Sequence, residues 1–115
     1  MKTDLTVVER VDERFLSEVT RRILEVATPE KVVLFGSFAR GDSHAGSDLD
    51  LLIVTESDLP PHPRAVPSYR ALAGLLIPKD ILVYTPDEVR EWSAVPEAIV
   101  TVALREGRVL YEKQG

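Results

Sequence analysis

The sequence predicts an α/β (α+β) fold: a small mixed β-sheet with helices packed against it. Three observations lead there. Apolar residues recur at helical spacing near the amino terminus. Short, nearly unbroken apolar runs then follow at Lys31–Phe35, Asp48–Val54 and Lys79–Tyr84. Proline and glycine punctuate the intervals between them. At 115 residues the chain is expected to make a single domain, 1–115. Its 44% hydrophobic and 29% charged residues suit a globular protein rather than a disordered one.

Taken in order, Asp12–Ala27 is a predicted helix, because Phe15, Val19, Ile23 and Val26 recur on one face and Asp12 can cap the start. Val8 and Val11 lie on the same face and leave its beginning open. Thr28-Pro29 ends the helix. Lys31–Phe35 is a buried strand that stops at Gly36-Ser37, and Phe38 to Arg40 form a brief helical turn before Gly41. Asp42–Ser47 is a polar loop and Asp48–Val54 the second strand. The four prolines of Glu56–Pro67 predict an extended, exposed connector, with a lid as the less favoured alternative. Ser68–Ile77 reads as a helix capped by Ser68, and Lys79–Tyr84 as a third strand. Pro86–Trp92 is a helix with Thr85 as its cap. Glu97–Glu106 is a helix closed by Gly107 at the usual carboxy-terminal position. Arg108–Glu112 completes the sheet as an edge strand.

Composition excludes several classes of function. A net charge of −5 lacks the positive footprint of a non-specific nucleic-acid binder. The longest apolar run, Ala71–Ile77, falls well short of the roughly 20 residues that span a bilayer. Asp4, Glu9 and Arg10 interrupt any leader-like stretch. With no cysteine there is neither a disulfide framework nor a thiolate metal site, and a cytoplasmic location is expected.

The chemistry is concentrated in "FGSFARGDSHAGSDLDLLIV". Strand side chains alternate, so Asp48 and Asp50 share a face with Leu52 and Val54, while Leu49, Leu51 and Ile53 share the other. That apolar set fixes the register, because a one-residue slip would bury both aspartates. Two converging carboxylates hold a hard divalent cation through oxygen, and Mg²⁺ suits them best. Gly36-Ser37, between a strand end and a helical turn, suits a phosphate: Gly36 permits close approach and the Ser37 hydroxyl adds a donor. Asp80 opens its strand much as Asp48 opens the second, and would complete a two-metal site if the strands are neighbours. Arg40 can reach a phosphate or pair with Asp42 or Asp48. Ser47 can cap its loop or touch a ligand. His44 and His62 read as solvated, Trp92 and Tyr111 as core or interface, and Tyr84 as core or a pocket wall.

This arrangement resembles the DNA polymerase beta-like nucleotidyltransferase superfamily: Gly-Ser, a ten-residue interval (38–47), then Asp-x-Asp. "GSFARG" and "SDLDLL" are most similar to the minimal nucleotidyltransferases, the antitoxin half of pairs with helical HEPN toxins. The downstream Asp80 and the "ALREGRVLYE" ending also fit, so the resemblance covers nearly the whole chain. It implies a polymerase beta palm-like fold and transfer of a nucleoside monophosphate, AMP from ATP, to an acceptor hydroxyl. Asp48 and Asp50 would hold two Mg²⁺ ions, and Asp80 the metal beside the attacking hydroxyl. Gly36 and Ser37 would hold the β- and γ-phosphates. The implied acceptor is a tyrosine of a helical HEPN partner, which modification silences. A non-catalytic partner-binding antitoxin and a transferase for a small molecule are the alternatives. The second lacks the extra helical domain that usually presents such an acceptor. Self-association is left open.

Overall fold

Why α1 (Glu13–Val26) begins where it does is visible at Asp12, whose carboxylate accepts the backbone N–H of Phe15 at 2.9 Å. Among residues 6–7, 10–44 and 46–114, which the computed structural model describes, α1 is the longest helix. The alternative start at Val8 lies outside the described residues. Leu16, Val19 and Ile23 face the core, whereas Val26, expected on that face, is exposed.

β1 (Thr6–Val7) precedes α1, and β2 (Lys31–Phe35) follows it, leading into a single helical turn, α2 (Ser37–Arg40). β3 (Leu49–Val54), α3 (Pro61–Ala71), β4 (Leu75–Leu76) and β5 (Lys79–Tyr84) come next. α4 (Pro86–Trp92), α5 (Ile99–Glu106) and β6 (Arg108–Glu112) close the chain. The main sheet runs β5-β3-β2-β6. β2 is antiparallel to both β3 and β6, and β3 is parallel to β5, so the sheet is mixed as expected. β1 and β4 form a separate parallel pair, and neither has a counterpart among the sequence expectations.

β3 is covered on both sides. Leu49, Leu51 and Ile53 pack with Leu16, Val19 and Ile23 of α1 and with Ala65 of α3. Leu52 and Val54 pack on the other face with Val33 and with Val100 and Ala103 of α5. A strand buried on both faces reads as a continuous apolar run, as this one does after Asp50.

The largest departure from the sequence reading is α3. The connector expected over 56–67 is instead helical from Pro61, and the helix expected over 68–77 ends at Ala71. Pro61 and Pro63 occupy the first turn, whose N–H groups have no partner within a helix, so two prolines cost little there. Pro67, inside the helix, removes one hydrogen bond. Ala65, Ser68 and Leu72 nevertheless bury one face, and Arg64 ties the helix to the sheet. Ser68 is therefore a buried helical residue and not a cap.

Two smaller corrections concern the carboxy-terminal third. The last helix starts at Ile99 rather than Glu97. Gly107 follows it with φ −78°, so left-handed backbone is not its role. A Cβ there would lie 2.4 Å from the Ala103 carbonyl oxygen and 2.7 Å from that of Leu34, so glycine is needed for close packing of α5 on β2. Of the two aromatic residues read as core or interface, Trp92 is exposed and Tyr111 packs against the core. No helix among the described residues is long and apolar enough to cross a membrane.

Candidate active site

The site is built where β2 and β3 begin to diverge. Phe35 pairs with Asp50 at the end of the antiparallel ladder, and Asp50 pairs with Asp80 in the parallel one. Three adjacent strands thus bring Gly36, Asp50 and Asp80 to one end of the sheet. Gly36 leaves β2 with φ 76°, a conformation that L side chains rarely adopt, and starts α2 as its N-cap. A Cβ on Gly36 would lie 2.2 Å from Asp50 Oδ2. Glycine is required by the carboxylate opposite as well as by the turn. Backbone N–H groups of Ala39 and Arg40 return to the Gly36 carbonyl at 3.1 and 3.0 Å, which fixes Ser37 at the mouth of the helical turn.

Asp48 precedes β3 and is exposed, Asp50 is half-buried, and Asp80 is exposed on the edge strand. Burial, followed by the charges of Asp80 and Asp48, raises the Asp50 pKa above the usual carboxylate value; Arg40 acts weakly in the opposite direction. The cluster is thus electrostatically strained. Arg40 makes its ion pair with Asp42, Nε to Oδ2 at 3.1 Å, which is one of the two pairings expected of it. Ser47 caps its own loop: its Oγ accepts the His44 backbone N–H at 2.8 Å. Tyr84, half-buried, packs against the α5-side core. Beside the Gly36 turn lies a groove of about 240 Å³ walled by Phe35, Ala39, Arg40, Ile99, Val102 and Glu106.

Carboxylates are the ligand type of a hard cation such as Mg²⁺, and a cation would relieve the repulsion that Asp50 feels from Asp80 and Asp48. Among the described residues, however, no three acidic, His or Cys side chains are grouped closely enough to hold an ion between them. Asp80 also has a contact on the far side of its strand. Its Oδ1 accepts from Tyr69 Oη at 3.4 Å, while the same hydroxyl accepts the Ile81 N–H at 2.8 Å. Sequence reasoning placed Tyr69 on a helix but gave it no role, because its contacts with Asp80 and Ile81 are set by how α3 packs on β5. The spacing Ala65, Ser68, Leu72 could have shown which face of that helix is buried, but not the partner of Tyr69.

A mixed sheet with carboxylates on two neighbouring strands and a glycine-serine turn at the end of the next strand is an arrangement suited to phosphoryl transfer. The profile described as "Nucleotidyltransferase domain" matches residues 13–114, and the chain belongs to that family. No curated protein matches the sequence closely enough to be counted. Two solved structures share the fold. One is a chain of a toxin–antitoxin complex crystallised with AMP-PNP, 20% identical, TM-score 0.63, covering 86% of this chain and 74% of that one. The other is a Sulfolobus solfataricus protein described as a nucleotidyltransferase, 24% identical, TM-score 0.59, covering 87% of this chain and 82% of that one.

Proposed function

We propose that residues 1–115 form one minimal nucleotidyltransferase domain that moves a nucleoside monophosphate, AMP from ATP, onto a hydroxyl of a protein partner, breaking the α–β phosphoanhydride bond and releasing pyrophosphate. The observation that carries the reading is the pairing of Asp50 with Asp80 across β3 and β5, with Gly36 packed against Asp50. Mg²⁺, when bound, would neutralise the phosphates and the carboxylates together. Asp48 and Asp50 would hold two such ions, and Asp80 would bind the one beside the acceptor hydroxyl and assist its deprotonation. Gly36 and Ser37 bind the β- and γ-phosphates at the start of α2. Arg40 is one turn away and reaches a phosphate only by leaving Asp42, and Ser47 orders the loop that carries Asp48.

The acceptor is a tyrosine of a helical HEPN-type toxin, and the chain acts as its antitoxin in the cytoplasm. Supporting this are the family membership and the fold shared with a chain of a toxin–antitoxin complex crystallised with AMP-PNP. A site open at the end of a sheet cannot orient a freely diffusing acceptor, whereas a docked protein presents its hydroxyl in a fixed place. Co-expression with the product of the neighbouring gene, followed by intact-mass measurement, tests the reading. One or more nucleotide units on the partner are expected. If the partner is silenced equally by an Asp48→Asn, Asp50→Asn double variant and gains no mass with the wild type, the protein acts by binding alone.

A further inference from the structure

The geometry points to Tyr69 as the positioning residue for Asp80, an inference that rests on the transferase reading for its catalytic part. β5 is an edge strand, and the Ile81 N–H is directed out of the sheet, where it meets the Tyr69 hydroxyl at 2.8 Å. A phenol oxygen held this way directs its own proton elsewhere, and the acceptor in reach is Asp80 Oδ1, at 3.4 Å. The hydroxyl thus bridges the backbone of one residue to the side chain of the residue before it.

Asp80 is the most exposed kind of catalytic candidate: an acidic side chain on a sheet edge, repelled by Asp50 on the neighbouring strand. Without a tether its carboxylate would spread over several rotamers. Tying one oxygen to α3 leaves the other free to face Asp50 and an incoming hydroxyl. α3 is well placed to supply a rigid anchor. Ala65 and Ser68 bury its inner face, and Arg64 fastens it to the Val83 carbonyl of β5 at 3.3 Å. Tyr69 does not touch the reacting atoms in this scheme; it acts through Asp80.

Tyr69→Phe keeps the ring and removes the bridge. It is expected to lower kcat for nucleotide transfer roughly two- to three-fold, the scale of one long, exposed hydrogen bond, with little change in KM for the nucleotide. In an Asp80→Ala background the same change should cost nothing further in rate. The metal-free protein gives an independent readout. Melting temperatures of Tyr69→Phe, Asp80→Ala and the double variant form a cycle, and a non-zero coupling is expected. If Tyr69→Phe lowers stability equally in both backgrounds and leaves kcat unchanged, Tyr69 serves only to cover the Ile81 N–H and the inference is wrong. Should the wild type transfer no nucleotide to any acceptor, the transferase reading fails. The stability cycle then still decides whether Tyr69 holds Asp80.

Discussion

At Gly36 a backbone requirement and a charge requirement meet at one residue, because the space that a Cβ would take is filled by the Asp50 carboxylate. The motif spacing was legible in the sequence because the turn and the paired aspartates lie on consecutive strands. Tyr69 was not legible, since its partner on β5 is set by tertiary packing rather than by spacing. The raised pKa of Asp50 carries a stability consequence. Its folded pKa lies above the unfolded one, so the ionised form costs stability once pH exceeds the unfolded value. Asp50→Asn should therefore raise the melting temperature of the metal-free protein at neutral pH. It should also lower transfer by roughly 10²–10³-fold, as loss of one preorganised electrostatic group does elsewhere. A variant that melts well below the wild type would show that Asp50 is needed for folding instead.

Among the elements, α1 and α3 show opposite relations between sequence and structure. α1 was readable because its apolar period is unbroken and Asp12 caps it. α3 was hidden because two of its prolines sit where a helix tolerates them, and only burial of Ala65, Ser68 and Leu72 declares the period. Arg64 deserves its place in that account: its nearly buried guanidinium binds both oxygens of Glu88, at 2.6 and 3.1 Å, and joins α3 to α4. Glu88 also completes the capping box of α4 with Thr85. Glu88→Ala leaves the Arg64 guanidinium only the Leu59 and Val83 carbonyls and should cost about 2 kcal/mol, measurable by urea unfolding. On α1, Glu18 accepts from Arg21 and Arg22, which hold its pKa at about 2 against an ordinary 4.5. Because that pKa is depressed, its contribution is complete above pH 4.5 and disappears as pH falls toward 2. Melting curves of wild type and Glu18→Gln should converge across that window and differ above it.

For the molecule as a whole, the mixed sheet with helices packed against it was legible, because each of its four strands reads as a run of its own, whereas the two-residue strands β1 and β4 do not. The acidic cluster sets a global expectation as well: a nucleoside triphosphate should bind with Mg²⁺ present and scarcely at all in EDTA, which calorimetric titration of ATP under both conditions will show. Equal affinity would remove the metal from the proposed scheme. The ladder registers also carry a consequence for chain entropy. Bringing Phe35 to Asp50 closes the loop 36–49, which contains the phosphate turn and Asp48, whereas bringing Asp50 to Asp80 closes a separation twice as long and threads α3 through it. Doubling a flexible loop costs only about 0.6 kcal/mol in closure. Recruiting the third carboxylate from a distant strand is therefore cheap in entropy. Insertions between Val54 and Pro61, outside the helix, should be tolerated far better than insertions of the same length between Gly41 and Asp48.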